Sequence, residues 1–124
     1  VGGNFFEDSL PEGADCISMV RVVHDHDDAP VMNLLRRIRA ALAPGGTLVI
    51  AEPMAGAASA ETVGDAYFSF YLMAMGRGRA RTAGELAALL RAAGFAFVAE
   101  IATPLPLQCK VLIARLDNKT VKTT

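Results

Sequence analysis

The sequence lacks tryptophan and has only two cysteines and two histidines, which limits the chemistry it can support. Cys16 and Cys109 show no CxxC spacing and give no sign of a zinc or redox motif. We interpret them as buried thiols of a cytoplasmic protein. Apolar runs such as residues 47–51 are too short to cross a bilayer, and no segment resembles a signal sequence.

Neither sign of charge dominates, since 12 basic and 13 acidic residues give a net charge of −1. This balance argues against nucleic acid or an anionic membrane as a partner. Aliphatic residues are abundant: hydrophobic residues make up 52% of the 124 residues and aromatics 6%, enough for one alanine-rich domain. We assign the domain to residues 1–116 and expect the polar segment 117–124 to be a disordered tail.

The first half of the sequence predicts a strand, a helix and a second strand. Residues 15–23 are a nearly unbroken apolar run, which suits a strand covered on both faces of a parallel sheet. Residues 31–42 place apolar side chains at helical spacing, with Asp28 as the expected N-cap and Pro30 in the first turn. Residues 47–52 form the second strand, and a right-handed crossover makes the two strands parallel.

The second half predicts two helices and a hairpin. Large apolar residues surround the helix expected at 62–75, so it should be buried on more than one side. Thr82 and Glu85 form a capping box at the start of a helix that Gly94 ends. Residues 96–103 and 107–116 follow as strands of an antiparallel hairpin. The predicted fold class is therefore α/β, with parallel strands and an antiparallel carboxyl-terminal hairpin.

Two titratable side chains stand where the predicted parallel strands end. His24 follows the first strand, and Glu52 ends the second. The carboxyl ends of neighbouring parallel strands share one edge of a sheet, which is where ligands bind in open α/β sheets. A carboxylate beside an imidazole fixes its tautomer and stabilises the imidazolium. We therefore predict that His24 is a general base and that Glu52 orients it.

Plainer interpretations stay open at this point. The aspartates of residues 25–28 are favoured in turns and helix caps, His24 could be a loop histidine, and Glu52 could be a charged strand end. His24 and His26 could instead share a metal ion, because they lie two residues apart beside carboxylates. Zinc needs three or four firmly held ligands, and no cysteine lies near these histidines, so we predict no metal site.

Three stretches carry a family resemblance: GGNFFEDSLPEGAD at 2–15, the segment 21–54 with its HDHDD and AEP motifs, and RTAGELAALLRAAGF at 81–95. Together they resemble the carboxyl-terminal half of a class I, S-adenosylmethionine-dependent O-methyltransferase. The family includes the plant caffeic acid enzymes and bacterial enzymes of secondary metabolism, with a branch that methylates hydroxylated carotenoids such as hydroxyneurosporene. The resemblance covers residues 1–115 and implies half of a Rossmann-like methyltransferase sheet.

The resemblance also implies a cofactor, S-adenosylmethionine, and a set of site residues. His24 matches the catalytic base, and Glu52 matches the carboxylate that steadies it. The cofactor contacts are assigned to four residues: Asn4, Phe5, Arg21 and His26. Asn4 stands where the family usually has an aspartate against the adenine, and His26 stands where many relatives have a tryptophan. The plant enzymes have a second carboxylate at the position of Ala80, so we expect His24 to depend on Glu52 alone.

The family's glycine-rich loop and the acidic residue that holds the ribose have no match here, and the sequence begins at Val1. We expect a half-domain with four strands of a seven-stranded sheet, incomplete cofactor binding and no activity by itself. The first strand would then have an open edge, which predicts a homo-oligomer.

Two classes of function follow. The first is an O-methyltransferase acting on an apolar hydroxylated small molecule, a carotenoid above all, with a phenolic or polyketide acceptor as the alternative. Residues 67–75 are core residues by default, and they could also form one wall of its pocket. The second is a truncated, non-catalytic module that serves in structure or dimerisation.

Overall fold

The computed structural model describes residues 2–54, 78, 81–104 and 109–117. Its elements follow the predicted order over this part of the chain. The four strands are β1 (Ala14–Val20), β2 (Leu42–Glu52), β3 (Phe97–Ile101) and β4 (Lys110–Arg115). The helices are α1 (Asp28–Ala41) and α2 (Ala83–Ala92), and a 3₁₀ helix spans Val23–Asp25.

The described strands form one sheet in the order β1-β2-β4-β3. β1 and β2 are parallel, as the crossover through α1 predicts. β4 is antiparallel to both β2 and β3, so the carboxyl-terminal hairpin is also confirmed. The predicted α/β class with a mixed sheet is therefore correct.

β1 is shorter than the predicted strand at 15–23. Arg21 has a φ of 57°, in the left-handed region, and the chain leaves the extended conformation there. Val23 then enters the 3₁₀ helix with only 1% of its surface exposed. The apolar run predicts one strand through Val23, and Val23 is indeed a core residue, but it enters the core from the 3₁₀ helix.

β1 is also far more exposed than the prediction of a strand covered on both faces. Met19 is its one buried residue, and Val20 is 61% exposed. Cys16, Ser18 and Val20 alternate along the exposed face of β1, whereas Met19 belongs to the other face. The prediction of a buried thiol at Cys16 was therefore wrong. β1 also lies at the edge of the described sheet, where it pairs with β2 alone. Pairing of this edge with a second copy stays a prediction.

α1 packs against the sheet through side chains at helical spacing. The buried residues of this helix are Val31, Leu34, Leu35, Ile38 and Ala41. The N-cap position belongs to Asp27, whose side chain makes no capping hydrogen bond, so the prediction of Asp28 as the cap was wrong. Both aspartates bond to residues distant in the sequence instead, Asp27 to Gly78 and Asp28 to Arg81.

α2 begins as predicted. The side-chain oxygen of Thr82 accepts from the backbone N–H of Glu85, and the Glu85 carboxylate accepts from the N–H of Thr82. Gly94 follows the helix at a φ of 104°, where a β-carbon would come within 2.6 Å of Arg39. Among the described residues no helix is long and apolar enough to cross a membrane. The predicted helix at 62–75, Ala80 and the tail beyond Asp117 lie outside the described residues.

Candidate active site

β1 and β2 bring His24 and Glu52 to the same end of the sheet. Val20 pairs with Ala51, and the N–H of Arg21 donates to the carbonyl of Ala51 over 2.8 Å. The chain after β1 therefore starts level with the last residue of β2. Alternation along β2 buries Leu48 and Ile50, and the same period buries the carboxylate of Glu52, which is 0% exposed.

Glu52 holds the backbone of the turn that carries His24. Its Oε1 accepts from the backbone N–H of Val23 at 3.0 Å and of His24 at 3.3 Å. The same oxygen lies 3.5 Å from Nδ1 of the His24 imidazole, which is long for a hydrogen bond. The side chains of His24 and Glu52 therefore lie next to each other, as predicted. Glu52 also accepts hydrogen bonds from two backbone N–H groups, which the sequence did not indicate.

A second carboxylate lies on the other side of the imidazole. Oδ1 of Asp25 is 3.3 Å from Nε2 of His24. The Asp25 side chain is 28% exposed, whereas that of His24 is 3% exposed. The expectation that His24 depends on Glu52 alone was therefore wrong, because a neighbour in the sequence, interpreted as a turn residue, folds back onto the ring.

Arg81 is a functional candidate that sequence reasoning missed. Its side chain is 0% exposed, and its guanidinium donates to the backbone carbonyls of Val23 at 3.1 Å and His26 at 2.8 Å. It also pairs with Oδ1 of Asp28 through Nε at 2.9 Å and one terminal nitrogen at 2.7 Å. The available signal was an arginine directly before the capping box of α2.

Gly78, three residues before Arg81 in the sequence, also contacts the turn that carries His24. Its N–H donates to Oδ1 of Asp27 over 2.9 Å, which explains why Asp27 does not cap α1. Gly78 has a φ of 79°, and a β-carbon there would collide with the carbonyl oxygen of His24 and approach the carbonyl carbon of Asp25 to 2.7 Å. Only glycine allows so close an approach in this conformation.

The cofactor candidates at the start of the chain form a partly exposed ring cluster. The His26 ring packs edge-on against Phe6 at 4.8 Å and Phe5 at 6.1 Å between centroids. Asn4 is exposed, and its side-chain oxygen accepts from the N–H of Phe6 at 2.9 Å. Three of the four predicted cofactor residues, Asn4, Phe5 and His26, therefore lie together.

Arg21 is not brought into this cluster by any contact among the described residues. Its backbone bonds to Ala51, and its side chain is exposed. The two histidines also have different neighbours: His24 lies beside carboxylates, and His26 packs against aromatic rings. In the described part of the chain no group of three or more His, Cys, Asp or Glu side chains is placed to hold a metal ion.

Comparison with known families fits this geometry. Residues 1–96 match the model of the O-methyltransferase domain. The chain belongs to this O-methyltransferase family. The resemblance of the HDHDD, AEP and RTAGEL segments is thereby confirmed, and these segments supply the buried turn and its contacts.

Two relatives carry the name demethylspheroidene O-methyltransferase. The chain is 46% identical over 112 residues to the demethylspheroidene O-methyltransferase of Rhodobacter capsulatus, covering 90% of this chain and 28% of that protein. It is 50% identical over 94 residues to the enzyme of the same name from Cereibacter sphaeroides, covering 76% of this chain and 25% of that protein. The chain thus spans about a quarter of the length of these relatives.

A solved relative has the same fold. Human N-acetylserotonin methyltransferase in complex with S-adenosylmethionine superposes with a TM-score of 0.82 at 30% identity, covering 93% of this chain and 32% of that one. The mixed sheet of this O-methyltransferase chain therefore has the same fold as the matching part of that relative.

Proposed function

We propose that this O-methyltransferase chain contributes the general base for methylation of a hydroxyl group on an apolar small molecule, with S-adenosylmethionine as the methyl donor. One observation carries the proposal. The His24 imidazole is buried at the carboxyl end of β1, with Nδ1 3.5 Å from Glu52 and Nε2 on the side of the partly exposed Asp25. Family membership supports the reaction type.

The arrangement suits removal of a proton from an alcohol. A hydroxyl oxygen becomes a better nucleophile as its proton passes to an imidazole nitrogen within hydrogen-bond reach. Nδ1 faces the buried Glu52 carboxylate, so we assign the proton transfer to Nε2. Nε2 lies 3.3 Å from the partly exposed Asp25 carboxylate, so the acceptor hydroxyl has to displace that side chain to reach it. Glu52 then lies beside the imidazolium that forms and stabilises it. When bound, S-adenosylmethionine supplies the electrophilic methyl group, and the protein has to align the acceptor oxygen with it.

The described residues fit the adenine end of that cofactor. Phe5 is 37% exposed, and Phe6 and His26 form with it a ring cluster with accessible faces and edges. Such surfaces stack on a purine. Asn4 lies beside the cluster and can donate from its side-chain amide, since its oxygen is already engaged by Phe6. We assign Asn4, Phe5 and His26 to the adenine contact, and Arg21 stays a weaker assignment because its described contacts are those of its backbone.

For the acceptor we propose a hydroxylated carotenoid, of which hydroxyneurosporene and demethylspheroidene are examples. The support is the 46% and 50% identity to two demethylspheroidene O-methyltransferases. The apolar Met54, which is 4% exposed and follows Glu52 by two residues, is consistent with an apolar pocket near the base.

The base assignment is tested by His24→Gln in the full-length natural protein, assayed for methyl transfer to a hydroxylated carotenoid. We expect kcat to fall by about 10² to 10⁴-fold, the range that a general base contributes. His26→Gln is the matched control, since it should raise KM for the cofactor and leave most of kcat. A His24→Gln protein that keeps kcat within about twofold of the parent would refute the assignment.

The acceptor proposal has a separate test. The unsubstituted protein is offered hydroxylated carotenoids, simple phenols and polyketide phenols at equal concentrations, and kcat/KM is compared. We expect the carotenoids to be preferred by about tenfold or more, because an apolar pocket discriminates by the surface it buries. Preference for a phenol would move the acceptor to the alternative class and leave the base assignment in place.

A further inference from the structure

Residues 23–28, here called the 23–28 turn, are held by two buried side chains, the Glu52 carboxylate and the Arg81 guanidinium. Glu52 accepts from the N–H groups of Val23 and His24. Arg81 donates to the carbonyls of Val23 and His26. Both ions are essentially inaccessible, at 0% and 1% exposure. The peptide unit that precedes His24 is therefore held at its carbonyl by Arg81 and at its N–H by Glu52, and Arg81 also holds the carbonyl of His26, two residues later.

An arginine suits this position for geometric reasons. Its planar guanidinium presents five N–H donors in a fixed fork, and a buried guanidinium is tolerated when those donors are satisfied. Here the described acceptors all belong to the 23–28 turn: two backbone carbonyls and the Asp28 carboxylate. A lysine could carry the charge but could not reach all three acceptors as a fork.

The backbone of Arg81 is itself anchored. The next residue, Thr82, is the N-cap of α2 and forms both bonds of the capping box with Glu85. On the other side of Arg81, Gly78 bonds to Asp27. Among the described residues from Gly78 to Thr82, two contact the 23–28 turn: Gly78 through its backbone N–H and Arg81 through its guanidinium.

We infer that Arg81 is a positioning residue, which sets the orientation of His24 by holding the backbone carbonyls of Val23 before it and His26 after it. The inference rests on the proposed role of His24 as the base. Loss of the clamp should tilt the imidazole relative to the acceptor oxygen, and misplacement by about 1 Å can slow a reaction by about 10²-fold.

The test is a double-mutant cycle in the full-length natural protein. Arg81→Met should lower kcat by about 10 to 10²-fold while KM for S-adenosylmethionine changes by no more than about twofold. In the His24→Gln background the same substitution should change the residual rate by no more than about twofold, because it acts through the missing imidazole. Arg91→Met, which removes an exposed arginine from the last turn of α2, is the control and should leave kcat within about twofold.

The possible results separate the two claims. Equal loss from Arg81→Met in both backgrounds would overturn the positioning role and leave the base assignment standing. Full activity of His24→Gln would overturn the base assignment, and the inference would fall with it. Loss of kcat and a rise in KM by the same factor would indicate general damage to the fold and would also count against the inference.

A measurement on this chain covers the case in which Arg81→Met does not fold. Amide hydrogen exchange is compared between the unsubstituted chain and Arg81→Lys, which keeps the charge. Exchange at Val23 and His24 should rise by about tenfold or more, while Ile113 in β4 keeps its protection. Unchanged protection at Val23 and His24 would show that the fork is not what holds the turn, and would overturn the inference.

Discussion

Arg37 and Arg81 hold the two segments that flank β1, and they do so in opposite surroundings. Arg37, on α1, donates to the carbonyls of Phe5 and Asp8 in the segment before β1. Arg81 donates to the carbonyls of Val23 and His26 in the turn after it. The first arginine is half-buried and its acceptors are exposed, whereas the second is buried.

The difference decides how strongly each segment is held. A backbone carbonyl at the surface exchanges a protein donor for water at little loss, so an exposed bond contributes modestly to stability. A buried carbonyl that loses its donor has no such replacement. The turn that carries His24 is therefore fixed by this chain's own interior. The Asn4 to Asp8 segment, which also relies on the short-range bonds of Asn4 with Phe6 and Asp8, is held less firmly.

Of the substitutions that test this difference, Glu52→Ala should lower the free energy of unfolding the most. It removes the acceptor of two buried N–H groups and leaves a space in the core, so the free energy of unfolding should fall by about 4 kcal/mol. Glu52→Gln keeps a carbonyl oxygen for both N–H groups and should lose about 1 to 2 kcal/mol. Chemical denaturation followed by far-ultraviolet circular dichroism measures both, since the chain has no tryptophan. Equal losses for the two variants would contradict the role of Glu52 as a backbone acceptor.

Gly78→Ala should have the next largest effect. A β-carbon there would collide with the carbonyl of His24, and the φ of 79° is unfavourable for alanine, so we expect a loss of about 2 kcal/mol or more. Gly84→Ala is the matched control, because a β-carbon in the first turn of α2 would meet only the Thr82 hydroxyl, at 3.9 Å. It should be neutral or stabilise the chain by up to about 1 kcal/mol. A Gly78→Ala protein as stable as the parent would show that the backbone of the 23–28 turn can shift at little cost. The turn would then be held no more firmly than the segment before β1.

The smallest effect is expected from Arg37→Met. Its exposed acceptors can turn to water, so unfolding free energy should change by less than about 1 kcal/mol. Exchange should accelerate at the amides of Glu7 and Asp8, which close the short turn on the Asn4 carbonyl. A loss as large as that of Glu52→Ala would mean that the segment before β1 is as firmly built as the turn after it.

Much of the site follows from local patterns. The parallel pairing of β1 and β2 follows from a strand, helix, strand unit, and it brings His24 and Glu52 to one end of the sheet. The capping box of Thr82 and Glu85 can be read from four residues, because both of its bonds are formed within one turn. Glu52 lies two residues after Ile50, so the strand period also predicts that it faces the core.

The sequence by itself therefore determined the fold class, the neighbouring positions of the imidazole and the carboxylate, and the family to which they belong. Only the tertiary structure decided that Glu52 bonds to backbone N–H groups, that Asp28 pairs with Arg81 and that Gly78 lies against His24. The physical reason is sequence separation. Helical and strand periods arise within a few residues, whereas the bonds of Arg81 to the turn join residues 53 to 58 apart and depend on where α2 sits relative to β1.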